Sequence, residues 1–262
     1  AFGYYDHNQL GVIERVADHR PARPGEPRQR LWHVHAGRVI LATGAHERPL
    51  LFANNDLPGI MLAGAVRGYV NRYAVLPGTA AVVVTNNDSA YATVTDLLDR
   101  GAAVAAVVDL RPTVDSAITA PLRDRGIALH PGCTVVAALG RRRVQGVEIA
   151  PLDLQGRPAQ PTQRIACDLL CVSGGWTPAV HLHAQARGRP VFAPSLGAFV
   201  PGASVQREQS IGAARGVFDL AGCIADGGAA GAGKDPATVD LAGDPPRTAV
   251  PPPADRRKRF VD

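Results

Sequence analysis

Lysine is almost missing from this chain. Of its 28 basic residues only Lys234 and Lys258 are lysines, and the rest are arginines scattered along the whole length. Plentiful alanine, glycine and arginine beside so little lysine reads as coding bias. The formal charge of +5 therefore does not mark a nucleic-acid surface, and no nucleic-acid partner is expected. The one compact basic cluster, Arg256-Arg257-Lys258-Arg259, stands at the C-terminus. Also missing is any run near the roughly 18 consecutive apolar residues of a membrane span, and no basic-then-apolar leader opens the chain. The expectation is a soluble, cytoplasmic protein with no membrane contact. The four cysteines, Cys133, Cys167, Cys171 and Cys223, form no C-x-x-C, so neither a redox pair nor a zinc knuckle is indicated. Two H-x-H pairs, His33/His35 and His181/His183, would each put both imidazoles on one strand face. Without a third ligand nearby they read as structural, and no metal site is expected.

What is present suits one large domain or two closely joined ones: 262 residues, 46 % of them apolar. The opening "AFGYYDHNQLGVIERV" reads as strand, polar turn, strand, and residues 17–30 as a Pro- and Arg-rich hairpin tip. A third strand and then "AGRVILATGAHERP" follow, giving a meander that leads into an apolar strand ending at Thr43-Gly44-Ala45. Residues 59–75 carry apolar positions at helical spacing, closed by Pro77-Gly78. A short helix and three strands are expected over 116–152, with turns at Gly132, Gly140 and Gly146. "QRIACDLLCVSGG" reads as one buried strand ending in a small-residue turn. Residues 231–255, rich in Gly, Pro, Asp and Ala, have linker composition, and the closing "KRFVD" resumes an ordered-looking pattern.

Between these lies "AAVVVTNNDSAYATVTDLLDRGAAVAAVVD", the strand–helix–strand opening of a dinucleotide-binding unit without its glycines. The turn reads Thr-Asn-Asn-Asp-Ser-Ala-Tyr over residues 85–91, where a phosphate-binding turn carries G-x-G-x-x-G. Side chains at the first two glycine positions obstruct close approach of a pyrophosphate, and Asp88 adds negative charge there. Asp109, with no ribose to hold, is expected to be a solvated strand end. The unit reads as a scaffold whose site is disabled.

"VILATGA" is the strongest chemical signal. A buried strand ending in Thr-Gly lets backbone come close to a nucleotide, because glycine has no Cβ. "VFDLAGCIADG" has the form of a return segment: an apolar strand over 217–221 leading to Gly222 and a helix N-terminus, where free N–H groups favour anions. A Gly-Asp pair is the usual form. Here Gly222-Cys223 replaces it and the acid is displaced to Asp226. Glu47/Arg48, next to the A-T-G turn, is either an ordinary surface pair or orients the crossing segment toward Asn54/Asn55.

These stretches, with "ATGAHERPLLFANNDLPGIMLAGAVRGYVNRYAVLPG", "VVVTNNDSAY", "REQSIGAARGVFDLAGCIADG" and the closing "KRFVD", resemble the alpha subunit of heterotetrameric sarcosine oxidase. The A-T-G-A-x-E-R-P element is shared with amine and amino-acid dehydrogenase subunits, whereas the altered 85–91 turn is the discriminating piece. The resemblance implies an α/β fold with two dinucleotide-binding, Rossmann-like domains. Residues 1–58 and 171–230 would be part of a first domain whose N-terminal part is absent. Residues 59–170 would be an inserted second domain, and 231–262 a linker toward an absent folate-type domain. It implies oxidative demethylation of sarcosine to glycine with oxygen, giving hydrogen peroxide and either formaldehyde or methylenetetrahydrofolate. NAD would bind the alpha subunit at Thr43, Gly44, Ala45, Gly222 and Asp226. FAD and FMN would belong to the whole complex and its flavin-bearing beta subunit, and tetrahydrofolate to the absent domain. No catalytic residue is expected in this segment. A dye-linked amine, proline or opine dehydrogenase subunit and a non-catalytic scaffold remain open alternatives.

Overall fold

The computed structural model describes residues 1–250. The basic cluster at 256–259, the prolines at 251–253 and "KRFVD" lie outside the described residues. The described residues form two compact units, Ala1–His46 with Trp176–Pro245, and Glu47–Gly175 with residues 246–250.

In the second unit, five parallel strands lie in the order Ile60–Leu62, Leu169–Ser173, Ala80–Thr85, Ala103–Asp109, Ala128–Pro131. Successive side chains of a strand point to opposite faces, and both faces here are covered. Ala81, Val83 and Cys171 pack with Val66, Val70, Val94 and Leu97 from the helices Ala63–Tyr73 and Tyr91–Asp99. Val82, Val84, Leu170 and Val172 pack instead with Val135, Val147 and Ile149 of an antiparallel sheet. Its strands are Cys133–Gly140, Val144–Pro151 and Gln163–Ala166. Continuous apolar runs such as "AAVVV" are the consequence of burial on both faces.

Four readings change here. Ile60–Leu62 is a parallel strand, so the helix is confined to Ala63–Tyr73, and Ala74 in the left-handed region (φ 53°) ends it ahead of Pro77-Gly78. Gly146 lies inside Val144–Pro151, where a Cβ would come within 2.8 Å of the Ile165 carbonyl oxygen. "QRIACDLLCVSGG" is two strands in different sheets, Gln163–Ala166 and Leu169–Ser173. Finally, residues 246–250 pack on the second unit instead of forming a plain linker, and the preceding helix runs to Gly231.

The first unit contains the expected meander, Gly3–Tyr5, Gln9–Arg15 and Gln29–His35. Val39–Leu41 pairs in parallel with Glu208–Ser210, whereas Val191–Ala193 pairs antiparallel with Ala198–Val200. Its core cluster is small: Tyr4, Val39, Leu41 and Ala186, with Leu10, Ala36 and Leu182 against it. Phe2, Leu31, Trp32, Phe192, Phe199 and Leu220 are each more than half or about half exposed.

Candidate functional site

The strand Val39–Leu41 delivers Thr43 and Gly44 to an open turn. Thr43 Oγ1 donates to the Ala179 carbonyl at 2.8 Å, and the Ala179 N–H donates to the Gly44 carbonyl at 2.9 Å. Both bonds fasten the turn to the segment before helix His181–Gln185. Gly44 has φ +78°, a conformation that disfavours any side chain, and a Cβ there would meet no atom within 4 Å. Its backbone therefore faces free space. Ala45 follows as the first residue of the short strand Ala45–Glu47.

The return segment differs from its expected form. Residues 217–221 are not a strand: Asp219 is the N-cap of a helix spanning Leu220–Gly231, and its side chain accepts from the Gly222 N–H at 2.7 Å. A Cβ on Gly222 would lie 2.5 Å from Val217 Cγ1 and 2.8 Å from Asp219 Oδ2, so any side chain here would push Val217 and the capping carboxylate aside. The Gly222 amide is thus spent on a carboxylate of the chain. Asp219 is a residue the sequence reading missed, although Asp three residues before glycine at a helix start is an N-cap signature.

Asp226 is buried one turn further on. It accepts from Arg215 Nε at 2.6 Å, from Arg215 Nη2 at 2.8 Å and from the Gly212 N–H at 2.9 Å. The guanidinium beside it holds its carboxyl below the usual range. Both oxygens are occupied by protein donors. Asp226 therefore ties the turn Gly212–Arg215 to the helix. The same turn follows strand Glu208–Ser210, and the Ile211 N–H donates to the Leu41 carbonyl at 3.0 Å. Through this strand pair the structure brings the Thr43–Gly44 turn and the helix bearing Gly222 and Asp226 onto adjoining elements.

The altered turn of the second unit is filled by its own side chains. Asn87 Oδ1 accepts from the Ser89 N–H at 3.1 Å, and Asn87 Nδ2 donates to Ser173 Oγ at 3.0 Å. Asp109 is fully buried, not a solvated strand end. It accepts from Tyr91 Oη at 2.8 Å and from Arg111 Nε and Nη2 at 3.0 and 2.8 Å. Arg111 Nη1 reaches Asp88 at 2.6 Å. Burial and the Asp109 charge push the Tyr91 hydroxyl far above its ordinary pKa, so it stays a donor. Tyr91, the last residue of the altered turn, and Arg111 are given no role by the sequence, since nothing local shows that both side chains fold onto Asp109.

Glu47 is not half of a surface pair. It is partly buried and accepts from the Gly64 N–H at 2.7 Å, at the start of helix Ala63–Tyr73. Burial raises its pKa against the opposing bonds from Ser173 and Gly64. The Arg48 backbone pairs with Gly174 and Gly175. His181 and His183 lie on a helix, not a strand. His181 is exposed, whereas His183 is buried, with Nδ1 2.6 Å from Glu208 Oε1. Among the described residues no group of three His, Cys, Asp or Glu side chains could hold a metal ion, and no helix is long and apolar enough to cross a membrane.

No protein-family model matches the chain. By sequence it is similar to the "Sarcosine oxidase subunit alpha" of Corynebacterium sp. (strain P-1), 44 % identical over 234 residues, which is 88 % of this chain and 24 % of that protein. The protein of the same name from Rhizobium meliloti (strain 1021) is 38 % identical over 231 residues, 87 % of this chain and 22 % of that protein. The chain thus spans about a quarter of the length of the curated relatives it matches. Among solved structures, thioredoxin reductase from T. acidophilum matches with a TM-score of 0.56 at 16 % identity, over 74 % of this chain and 62 % of that one. Such a likeness establishes the fold alone: the α/β architecture of that reductase, with its parallel sheet.

Proposed function

This chain is related to sarcosine oxidase alpha subunits over the quarter of their length that it spans, and on that premise we propose that it is part of an amine-oxidising, multi-subunit oxidoreductase. The reaction is the oxidative demethylation of sarcosine: sarcosine, water and oxygen give glycine, formaldehyde and hydrogen peroxide, or methylenetetrahydrofolate where tetrahydrofolate takes the carbon. Oxidation of the C–N bond occurs at a flavin in a beta subunit. This segment supplies no catalytic residue and contributes a nucleotide-binding face and a subunit scaffold. The half-exposed Leu31, Trp32, Phe192 and Phe199 of the first unit are consistent with burial against further protein.

The observation that carries the NAD assignment is Gly44, whose left-handed turn leaves open space beside the backbone. There Thr43, Gly44 and Ala45 would border the nucleotide. At the helix end the fit is with a ribose, not a phosphate. The Asp219 carboxylate caps the helix and repels a second anion, yet it remains exposed and able to accept from a hydroxyl. Gly222 would act by permitting that cap, and Asp226 as a positioning residue that anchors the turn Gly212–Arg215. NAD bound here supplies either a hydride acceptor or a fixed structural element.

Calorimetric titration tests the reading. NAD should bind a full-length alpha subunit clearly and this chain weakly or not at all. The assembled complex should form peroxide from sarcosine, and this chain supplemented with flavin should not. Sarcosine-dependent peroxide from the chain alone, or a complex that turns over proline or an opine instead, would refute it.

A further inference from the structure

Open α/β sheets bind their ligands outside the carboxyl ends of the parallel strands. In the second unit that edge already has an occupant. Asn86, the first residue after strand Ala80–Thr85, is buried, and its Nδ2 donates to the Arg247 carbonyl at 3.1 Å. Its Oδ1 accepts from Asn87 Nδ2 at 3.2 Å, which leaves the amide satisfied on both sides. Arg247 Nη2 in turn donates to the Asp153 carbonyl at 2.6 Å. The Val250 N–H donates to the Gly156 carbonyl at 2.8 Å. Ala249 packs against the apolar cluster that contains Val84, Leu110 and Val135. Gly156 has φ +74°, and a Cβ on it would stand 2.7 Å from the Thr248 carbonyl oxygen, so the segment lies directly on this glycine.

We propose that the surface formed by Asn86 and the 152–156 turn is a peptide-docking groove, taken in cis by residues 247–250, and that this strand of the chain, not a nucleotide, is the ligand of the second unit. Most of the polar contacts involve main-chain groups, the mode by which extended peptides are held along a structured edge. The Arg247 carbonyl also places a further negative dipole beside a turn that already carries Asp88. The groove thereby fixes the chain at residue 250 and denies the edge to an anionic ligand. This inference is independent of whether NAD binds the first unit.

The test is hydrogen exchange by mass spectrometry on the full chain, as wild type, Asn86→Ala and Val250→Pro. Asn86→Ala removes the donor to the Arg247 carbonyl and Val250→Pro the segment's own donor to the Gly156 carbonyl, and neither position lies in a strand of the sheet. Residues 247–250 should be protected in the wild type. Asn86→Ala should speed exchange over 247–250 about five- to tenfold, the equilibrium effect of one net hydrogen bond. Val250→Pro, which has no amide at 250 to exchange, should do the same over 247–249. Helix Tyr91–Asp99 serves as the control for folding and should exchange unchanged. Millimolar NAD should leave the protection as it was. Exchange of 247–250 at the rate of a free peptide in the wild type would overturn the proposal. So would indifference to both variants, or displacement of the segment by NAD.

Discussion

Arg111 grips Asp109 with two parallel bonds, Nε to Oδ1 at 3.0 Å and Nη2 to Oδ2 at 2.8 Å. The carboxylate it neutralises is wholly buried, at the end of the second strand of the strand–helix–strand unit. The acid that would hold a ribose in a functioning dinucleotide site is here a partner of the protein's own arginine.

Removing that arginine leaves a buried charge without its counter-ion, which costs about 3–5 kcal/mol for a fully enclosed pair. Arg111 is a quarter exposed, so the lower end applies. Arg111→Ala should lower unfolding free energy by about 3 kcal/mol in urea titration. A loss below about 1 kcal/mol would show that water or Tyr91 compensates for the lost guanidinium.

Restoring glycines to the 85–91 turn should not by itself create a nucleotide site, because Asp88 and the Asp109–Arg111 pair remain in place. Crystals soaked in NAD should show no pyrophosphate density against the backbone of 88–92. Density there would mean that the polar network yields to an anion.

At Gly44, conformation and space can be separated. Valine should cost about 1–3 kcal/mol, since a β-branched residue at φ +78° is strained. Asparagine, which tolerates left-handed backbone, should cost less. Both fill the open volume, so both should weaken NAD binding to a full-length subunit. Wild-type affinity in Gly44→Asn would place the nucleotide elsewhere.

Asp226 makes stability sensitive to acid. Its pKa is depressed in the fold relative to about 3.9 in the unfolded chain. The contribution is therefore complete above that unfolded value and is lost as pH falls through the lower, folded one. Melting temperatures measured from pH 7 to pH 2 should fall less steeply on the acid side in Asp226→Asn, from a lower starting point. An unchanged slope would deny the Arg215 pairing its role.

The thiols should report burial. Burial pushes Cys167 up to about 11 and Cys171 higher still, and both side chains are enclosed. At pH 8 a thiol reagent should modify the partly exposed Cys133 and Cys223 first. Cys167 and Cys171 should react only with unfolding. Fast labelling of Cys171 in the native protein would contradict the packing of its strand.

Hydrophobic periodicity in the sequence was enough to show the strand–helix–strand unit at the centre of the parallel sheet. It did not show the edge strand Ile60–Leu62, which reads as helix, nor the break between Gln163–Ala166 and Leu169–Ser173. Runs such as 80–84 and 169–172 must be covered on both faces, and the helices between them have the matching stripe. Gly44 was legible for the same reason, since a glycine ending a buried strand is a local signal. The altered turn could be read as a disabled site because the missing residues are glycines, whose role is steric. What occupies that turn was not legible. Asp109 looks like a solvated strand end until Tyr91 and Arg111 are folded onto it. Asp226 looks like a ligand until Arg215 and Gly212 take its oxygens. Residues 246–250 have the composition of a linker, but Asn86 and Gly156 bind their backbone, and backbone groups are the same in every sequence. Periodicity and steric demand are local and survive in the one-dimensional text. The pairing of charges and main-chain groups depends on distance and direction in space, even between Asp109 and Arg111 two residues apart, and only the tertiary fold supplies these.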